Sequence, residues 1–535
     1  MSKWDYIVVG AGSAGCAVVN RLSESGKNRV LVVEAGGSDK SLAIKVPAGL
    51  GVYRKAMADL DWNYHSEPDP TRNGKSEAWV RGRVVGGGSS VNGMLYVRGA
   101  AYDYDRWAAM GNKGWSAEEV LPLFKAMESS DQDWGGRGKK GPLQVRTVNS
   151  CHPVTESFLA ACRTTGIPYN ADYNGEIQDG AAYAQCNQSK WFRCSAADAF
   201  LKPALRRQNV TLITHAVVHK ILIEKGCAKG IRFEHKGRIL EKSARNVVVC
   251  AGAINSPKLL MLSGIGDPAE LSKHGIPVVV DRPAVGKNLI EHPEIYITYK
   301  MKVPTNSPTE GVLQKAGFLM RYLFKGEGPL SNLWEAVVFL RSSIEEPVPD
   351  IQLVFTPWSE DYKTGSIEKV DATEKIKFCH RGVSFILNKS RPLSSGEVRL
   401  ASADPKENPL IECRFFSHED DIRTLVDGVK TLRGIMTSSP IAEKVDYEVS
   451  PGQNIANDDA LASYVRENAL INAHPIGTCR MGIDNEAVVT PELKVRGVEN
   501  LWIGDASIMP DHISGNINAA CMMIGEKLGR TLIAK

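Results

Sequence analysis

The chain contains no CxxC pair, although eleven cysteines are spread along it, at 16, 151, 162, 186, 194, 227, 250, 379, 413, 479 and 521. Zinc-ribbon and thioredoxin-like readings therefore have nothing to rest on, and no metal site is expected. An odd number of cysteines with no regular framework suits reduced thiols in a cytosol-like compartment. It also has no apolar run near the length of a membrane-spanning helix, so no transmembrane segment is expected. The first apolar run begins at Tyr6 after a few polar residues, which leaves no room for a secretory leader. A cytoplasmic protein is expected, and peripheral attachment to the inner membrane is compatible with it. Basic residues form no run, and the net charge is only +4, so nucleic acid is not an expected partner. The sequence has no internal repeat or low-complexity stretch. At 535 residues it is long for one domain and sufficient for two that share an interface.

What the sequence does contain begins with "DYIVVGAGSAGCAVVNRLSESGKNRVLVVEAG". Tyr6 to Val9 reads as a short buried strand. Gly10, Gly12 and Gly15 follow in GxGxxG spacing, and Ala14 to Leu22 reads as a helix. A second apolar run, Val30 to Val33, ends at Glu34, at roughly the 20-residue distance expected of a carboxylate that takes ribose hydroxyls. Glycines let such a turn tighten, and they let backbone N–H groups approach a pyrophosphate at the helix N-terminus. Together the four features predict a dinucleotide site. They do not separate FAD from NAD.

Two more glycine-rich stretches bear on that choice: "GRVVGGGSSVNGMLYVRG", 82–99, and "GAINSPKLLMLSGIG", 252–266. Both resemble the signature segments of the glucose-methanol-choline oxidoreductases, a flavoprotein family. "VGKNLIEHP" from Val285, "RPLSSGEVRLASADP" from Arg391, "HPIGTCRMG" from His474 and "GDASIMPDHISGNINAACMMIGEKLG" from Gly504 continue the match in the family's order. The resemblance implies an α/β fold with a Rossmann-like FAD-binding domain. A discontinuous substrate-binding domain on an antiparallel sheet would cap the flavin. Boundaries drawn on it give FAD-binding segments at 1–150, 211–300 and 461–535, a connecting and partly substrate-side segment at 151–210, and a substrate-binding domain at 301–460.

Carried over residue by residue, the resemblance implies that Glu34, followed by Ala35, takes the adenosine ribose. Gly10, Gly12, Ser13 and Gly15 would surround the pyrophosphate. Arg83, Val84, Gly86, Gly88, Asn92, Gly93 and Met94 would lie along the ribityl chain and flavin edge. Val218 would meet the adenine through its backbone, and Asp505 and Ala506 would make a second pyrophosphate and ribityl contact. Asn518 and Ala519 would open the last helix towards flavin N1 and O2, where the reduced ring gathers negative charge. Members that attach the flavin covalently use a histidine just before the asparagine of the first signature. That position is Val91 here, so FAD is expected to be non-covalent.

The same resemblance places His474 near flavin N5 as the base that handles the alcohol proton, with Asn516 as its partner. A His/Asn pair is closer to the choline-oxidase-like branch, which includes bacterial choline dehydrogenases and similar alcohol dehydrogenases, than to the glucose-oxidase-like one. An alcohol gives up a hydride readily only when its hydroxyl proton leaves with it or before it. A near-neutral imidazole takes that proton, and a neutral amide holds the oxygen without competing as a base. Pro475 stiffens the backbone beside the imidazole. His512 reads as a support or entrance residue, and His292 in "LIEHPE" reads as structural.

The implied activity is oxidation of a primary alcohol to the aldehyde by hydride transfer to flavin N5, with a dehydrogenase favoured over an oxidase. The partners would be a small-molecule alcohol and an electron acceptor: a quinone, a cytochrome or O2. An oxidase that makes H2O2 is one alternative. A lyase or decarboxylase on the same fold is another.

"DIQLVFTPW" and "GVSFILNK" predict strands of the sheet over the flavin, and "HEDDIRTLVDGVKTLRGIM" predicts an amphipathic helix. Residues 302–317 read as a loop and lid candidate. Pocket-wall candidates are Trp334, Phe355, Trp358, Asn472 and Ala473. Trp334 and Glu335 are adjacent in an expected strand and so point to opposite faces, which leaves no aromatic cage to be read there.

Overall fold

The computed structural model describes residues 4–49, 59–307, 311–359 and 381–534. Two seven-stranded sheets organise it. The first has a parallel core. Trp4–Val9 lies between Val30–Val33 and the second half of Arg238–Val249, Val210–Ile213 adds beyond Val30–Val33, and Leu501–Ile503 adds beyond Val249. Every residue of Val30–Val33 is buried, as expected of a strand covered on both faces. Ala216–Glu224 and Cys227–His235 extend this sheet as an antiparallel ribbon against Arg238–Val249.

Ser13–Ser23 forms the crossover helix after the first strand and packs against the terminal helix, Asn518–Ile533. The two lie this close because Gly525 sits on the carbonyl of Ala14, where an added Cβ would come within 2.2 Å. Gly15 is under a similar limit, since a Cβ there would meet the Gly10 carbonyl at 2.1 Å. The third glycine of GxGxxG thus closes the turn.

The second sheet is antiparallel. Its order is Val445–Ser450, Pro293–Met301, Gly382–Lys389, Ile351–Thr356, Ala336–Leu340 and Gly180–Tyr183, with Leu470–Ile471 also paired to Pro293–Met301. Pro293–Met301 straddles the boundary expected at 300/301 and belongs to this sheet. Strand alternation divides the residues between two faces. Ile295, Ile297, Phe385, Leu387, Leu353 and Phe355 share one hydrophobic cluster with Phe158 of the helix Pro153–Thr164 and with the helix Glu419–Met436. That second helix buries Ile422, Leu425, Val429 and Leu432, the stripe its sequence predicts. The opposite face carries Glu294, Tyr296, Ile386 and Val354 and looks towards the nucleotide-type sheet.

This alternation corrects one expectation. Phe355 is not a pocket wall; it is fully buried on the far face, stacked on Phe158 at 4.9 Å between ring centroids, and its neighbour Val354 faces the cavity instead. Trp358, beyond the strand end, is half-buried and also lies off the cavity. A second difference concerns residues 302–317. The helix Val312–Lys325 takes up the end of that stretch, and residues 308–310 lie outside the described residues. No helix among the described residues is long and apolar enough to cross a membrane.

Phe355→Ala empties a packed aromatic site without touching the cavity. It is expected to destabilise the protein by about 3–5 kcal/mol, read as a shift of the urea unfolding midpoint, with flavin content at low denaturant unchanged.

Candidate active site

Between the two sheets lies a cavity of about 560 Å³. At one end its walls are Glu34, Ala35 and Val218; in the middle, Gly10, Gly12, Ser13, Asp505 and Ala506; at the other end, Asn92, Gly93, Met94, Trp334, Asn472, Ala473, His474, Asn516 and Asn518. Segments far apart in sequence therefore meet in one elongated space. Gly15, Arg83, Val84, Gly86 and Ala519 do not line it. They act from behind: the Gly86 N–H donates to the Ala11 carbonyl at 2.7 Å, Val84 bridges to Gly37, and the Arg83 guanidinium lies 4.9 Å from the Trp62 ring centroid. Ala519 is buried in the first turn of the terminal helix.

The donor set fits a dinucleotide flavin. Three helices of eleven residues or more, Ser13–Ser23, Gly252–Leu262 and Asn518–Ile533, begin at the cavity wall, so their unpaired N–H groups and positive ends converge there. A Cβ added at Gly12, Gly88 or Gly252 would meet nothing within 4 Å, so at these positions only open cavity faces the backbone. Such a surface suits close backbone approach to a large polyanionic cofactor. Glu34 is buried and accepts the Ala11 and Gly36 N–H groups at 2.8 and 2.7 Å, and desolvation raises its pKa against those bonds. Asp505 accepts from the Gly252 N–H, the Ser256 hydroxyl and the Ser507 N–H, which ties the last segment to the second glycine-rich one. Ser13 donates to the Asn518 amide oxygen at 2.7 Å. Arg81 lines the cavity with two buried guanidinium nitrogens, Nε and Nη2, that have no hydrogen-bond partner among the described residues.

Two non-glycine residues of the wall, Met94 and Ala473, have positive φ, 65° and 63°. Left-handed backbone at alanine or methionine is strained, and strain of this sort collects at sites the surroundings over-determine. At Ala473 the next residue shows the restraint: both oxygens of buried Glu291 accept the His474 N–H, at 2.7 and 2.8 Å. Burial pushes the Glu291 carboxyl up to about 8, opposed by Arg81 and by the N–H groups of His474 and His292.

Around the His474 ring the partners define one direction of hydrogen bonding. His292 Nε2 lies 2.7 Å from the Ser390 carbonyl, which can only accept, so Nε2 carries the His292 proton. Neutral His292 then presents a lone pair at Nδ1, 3.1 Å from His474 Nδ1, and His474 Nδ1 must be the donor. That makes His474 Nε2 an acceptor, and the Asn516 amide nitrogen donates to it at 3.3 Å. The orientation of Asn516 is fixed from the sheet. Gln352 donates to its oxygen at 3.0 Å, and Asn388 donates to Gln352 at 3.2 Å. Burial, then His292 and Arg81, hold the His474 pKa well below the ordinary histidine value, and burial brings His292 down to about 3, so both rings are neutral. His512 Nε2 donates to the His474 carbonyl at 3.0 Å, and its ring lies 3.6 Å from that of His292.

Sequence reading brought His474 and Asn516 together but took His292 for a structural residue, and here it contacts the His474 ring. It also missed Glu294. This buried carboxyl lines the cavity beside Tyr296 and Trp334, and its pKa is raised by desolvation, with Glu291 and Glu77 adding to the effect. The signal was the i, i+2 spacing of Glu294 and Tyr296 in a strand, hidden by the turn-like "EHP" before it. Glu335, by contrast, turns away from Trp334 to accept from the His152 N–H and the Thr155 hydroxyl. Among the described residues no group of three His, Cys, Asp or Glu side chains can hold a metal ion.

Comparison with known proteins agrees with this architecture. Family models described as GMC oxidoreductase match residues 4–294 and 392–525. The chain is 39% identical to an oxygen-dependent choline dehydrogenase of Brucella suis, over 99% of this chain and 96% of that protein. With the oxygen-dependent choline dehydrogenase of Sinorhizobium fredii the identity is 40%, with the same coverage of each chain. Among solved structures, pyridoxine 4-oxidase from Mesorbium loti superposes with a TM-score of 0.88 at 27% identity, over the full length of both chains. A formate oxidase variant of Aspergillus oryzae superposes with a TM-score of 0.90 at 25% identity, covering 100% of this chain and 98% of that one. Two family models spanning most of the sequence, full-length relatives and a matching fold place this chain in the GMC oxidoreductase family of FAD-dependent enzymes.

Proposed function

We propose that this protein oxidises the CH–OH group of a small alcohol to the aldehyde, with His474 as the base and Asn516 holding the substrate oxygen. The observation that carries this reading is the hydrogen-bond chain from the Ser390 carbonyl through His292, which leaves the His474 Nε2 lone pair in the cavity wall beside an amide N–H. Bound FAD supplies the hydride acceptor. The alcohol hydroxyl, placed against Nε2, passes its proton to a neutral imidazole. The Asn516 N–H then donates to the oxygen as charge develops on it. With its own oxygen held by Gln352, that amide keeps its nitrogen at Nε2, and its N–H passes from Nε2 to the substrate oxygen as the imidazole takes the proton.

For the cofactor, Glu34 with Ala35 would hold the adenosine ribose, and Val218 the adenine. The glycine turn with Ser13 would take the pyrophosphate, and the Asn92–Met94 and Asn518 segments the flavin end. FAD would be dissociable, because Val91 in the cavity wall has no nucleophilic atom with which to bond the ring. For the substrate, the choline dehydrogenases named above support an alcohol that carries a quaternary ammonium group. A buried acid with Tyr296 and Trp334 in the same wall supports it independently, since a cation relieves the cost of a buried carboxylate and sits well on aromatic faces. A dehydrogenase passing electrons to a quinone or cytochrome is proposed. Direct use of O2 is the second reading, favoured by solved neighbours that are oxidases.

Anaerobic mixing of the yellow holoenzyme with a panel of alcohols tests both parts. Quaternary ammonium alcohols are expected to bleach the flavin, with slow recovery in air for a dehydrogenase and fast recovery for an oxidase. Bleaching by neutral alcohols alone would remove the role given to Glu294, and bleaching by none, with a dithionite control that does bleach, would remove the oxidative reading. His474→Ala is expected to slow flavin reduction by about 10²–10⁴-fold while FAD stays bound, as measured by stopped-flow absorbance.

A further inference from the structure

At the end of the cavity where Val218 lies, part of the wall is one chain thick. Residues 400–409 join the strands Gly396–Arg399 and Leu410–Glu412 without helix or strand of their own, and Pro405 at their middle lines the cavity. Ala403, Asp404, Lys406, Glu407 and Asn408 around it are exposed. Solvent therefore lies on one side of this strap and the cavity on the other. Internal bonds hold it as a unit. Asp404 accepts the Lys406 N–H at 2.9 Å, its own N–H donates to the Ser402 hydroxyl at 3.1 Å, and that hydroxyl donates to Glu407.

Lys258 and Lys406 tie the strap down. Lys258, 8% exposed, reaches from the helix Gly252–Leu262 into the same wall, and its amine donates to the Pro405 and Glu407 carbonyls at 2.8 and 2.5 Å. A buried amine is costly to desolvate, and this one gives its hydrogen bonds to the two carbonyls of an exposed turn. The Lys406 ammonium lies 2.8 Å from Glu234 on the neighbouring ribbon, and Glu234 stands opposite Val217, itself in the cavity wall. The Asn408 amide adds a bond to the Asn63 carbonyl at 3.2 Å. Just beyond the helix, the Ser263 hydroxyl accepts the Ile221 N–H at 2.8 Å, so helix, ribbon and strap meet at one end of the cavity.

We propose that this strap is the door through which FAD enters and leaves, with Lys258 as its inner latch and the Lys406–Glu234 pair as its outer one. The inference rests on the adenosine lying at the Glu34–Val218 end. Releasing these ties frees a turn that belongs to neither sheet, a local opening that leaves the rest of the fold in place. Cofactor exchange and alcohol access then use opposite ends of the cavity, and FAD stays bound while substrate and product pass.

The test is exchange of bound FAD for radiolabelled FAD in the holoenzyme, counted after desalting, which reads the cofactor and not turnover. Lys258→Met keeps an unbranched stem in the slot and removes both hydrogen bonds, and it is expected to speed exchange about tenfold or more. Lys406→Glu sets an acid against Glu234 and is expected to speed exchange about two- to fivefold. Lys406→Glu with Glu234→Lys restores the pair in reverse and should return the wild-type rate. These surface variants carry the test should Lys258→Met fail to fold. Wild-type exchange rates in both Lys258→Met and Lys406→Glu would overturn the inference. So would fast exchange in Lys406→Glu that the reversed pair does not slow, since general loosening of the surface gives that result. Glu34→Gln reports separately on where the adenosine lies. Faster exchange there, with no change in the strap variants, would overturn the strap alone, whereas no change in any variant would overturn the placement of the adenosine as well.

Discussion

A backbone carbonyl can only accept a hydrogen bond, and at Ser390 that one-sidedness sets the polarity of the whole site. It holds the proton of His292 on Nε2, which makes His292 Nδ1 an acceptor and His474 Nδ1 a donor. The base position is thus decided two residues away from the base itself. The other half of the site is fixed in the same manner from Asn388 through Gln352 to Asn516. Both chains start in the antiparallel sheet or at its edge. The helix N-termini and glycine turns at the cofactor end come from the other sheet. The reactive centre is where the two meet, and neither sheet builds it alone.

Burial supplies the remaining constraint. Half-buried in the cavity wall, the His474 ring is held by desolvation, His292 and Arg81 well below the ordinary histidine value, so it rests neutral and becomes charged only while the proposed proton transfer is under way. Glu291 and Arg81 stand beside it. One grips the His474 backbone with both oxygens, and the other places a largely unpartnered guanidinium in the cavity wall.

Much of this was legible in the sequence. The strand, glycine turn, helix and acid at 6–34 follow from local chemistry, and the structure has them in that order. His474 and Asn516 were legible because the segments around them are patterned. What escaped were contacts made across the sheet. Phe355 and Val354 differ by one position and so face opposite ways, which periodicity can state only once the core side of the strand is known. His292 and Gln352 matter through partners 182 and 164 residues away, a separation over which local pattern carries no information. The family models leave out 295–391, where most strands of the antiparallel sheet lie, so the cavity-wall residues Tyr296, Trp334, Val354 and Ile386 fall in the stretch with the least recognisable pattern.

The central claim is the protonation pattern of His474, and nitrogen NMR of histidine-labelled oxidised holoenzyme at neutral pH reads it directly, with His474→Gln to assign the signal. The account predicts a neutral ring protonated at Nδ1, with the chemical shift of a bare nitrogen at Nε2. A ring protonated at Nε2, or doubly protonated, would contradict it, because no lone pair would then face the substrate.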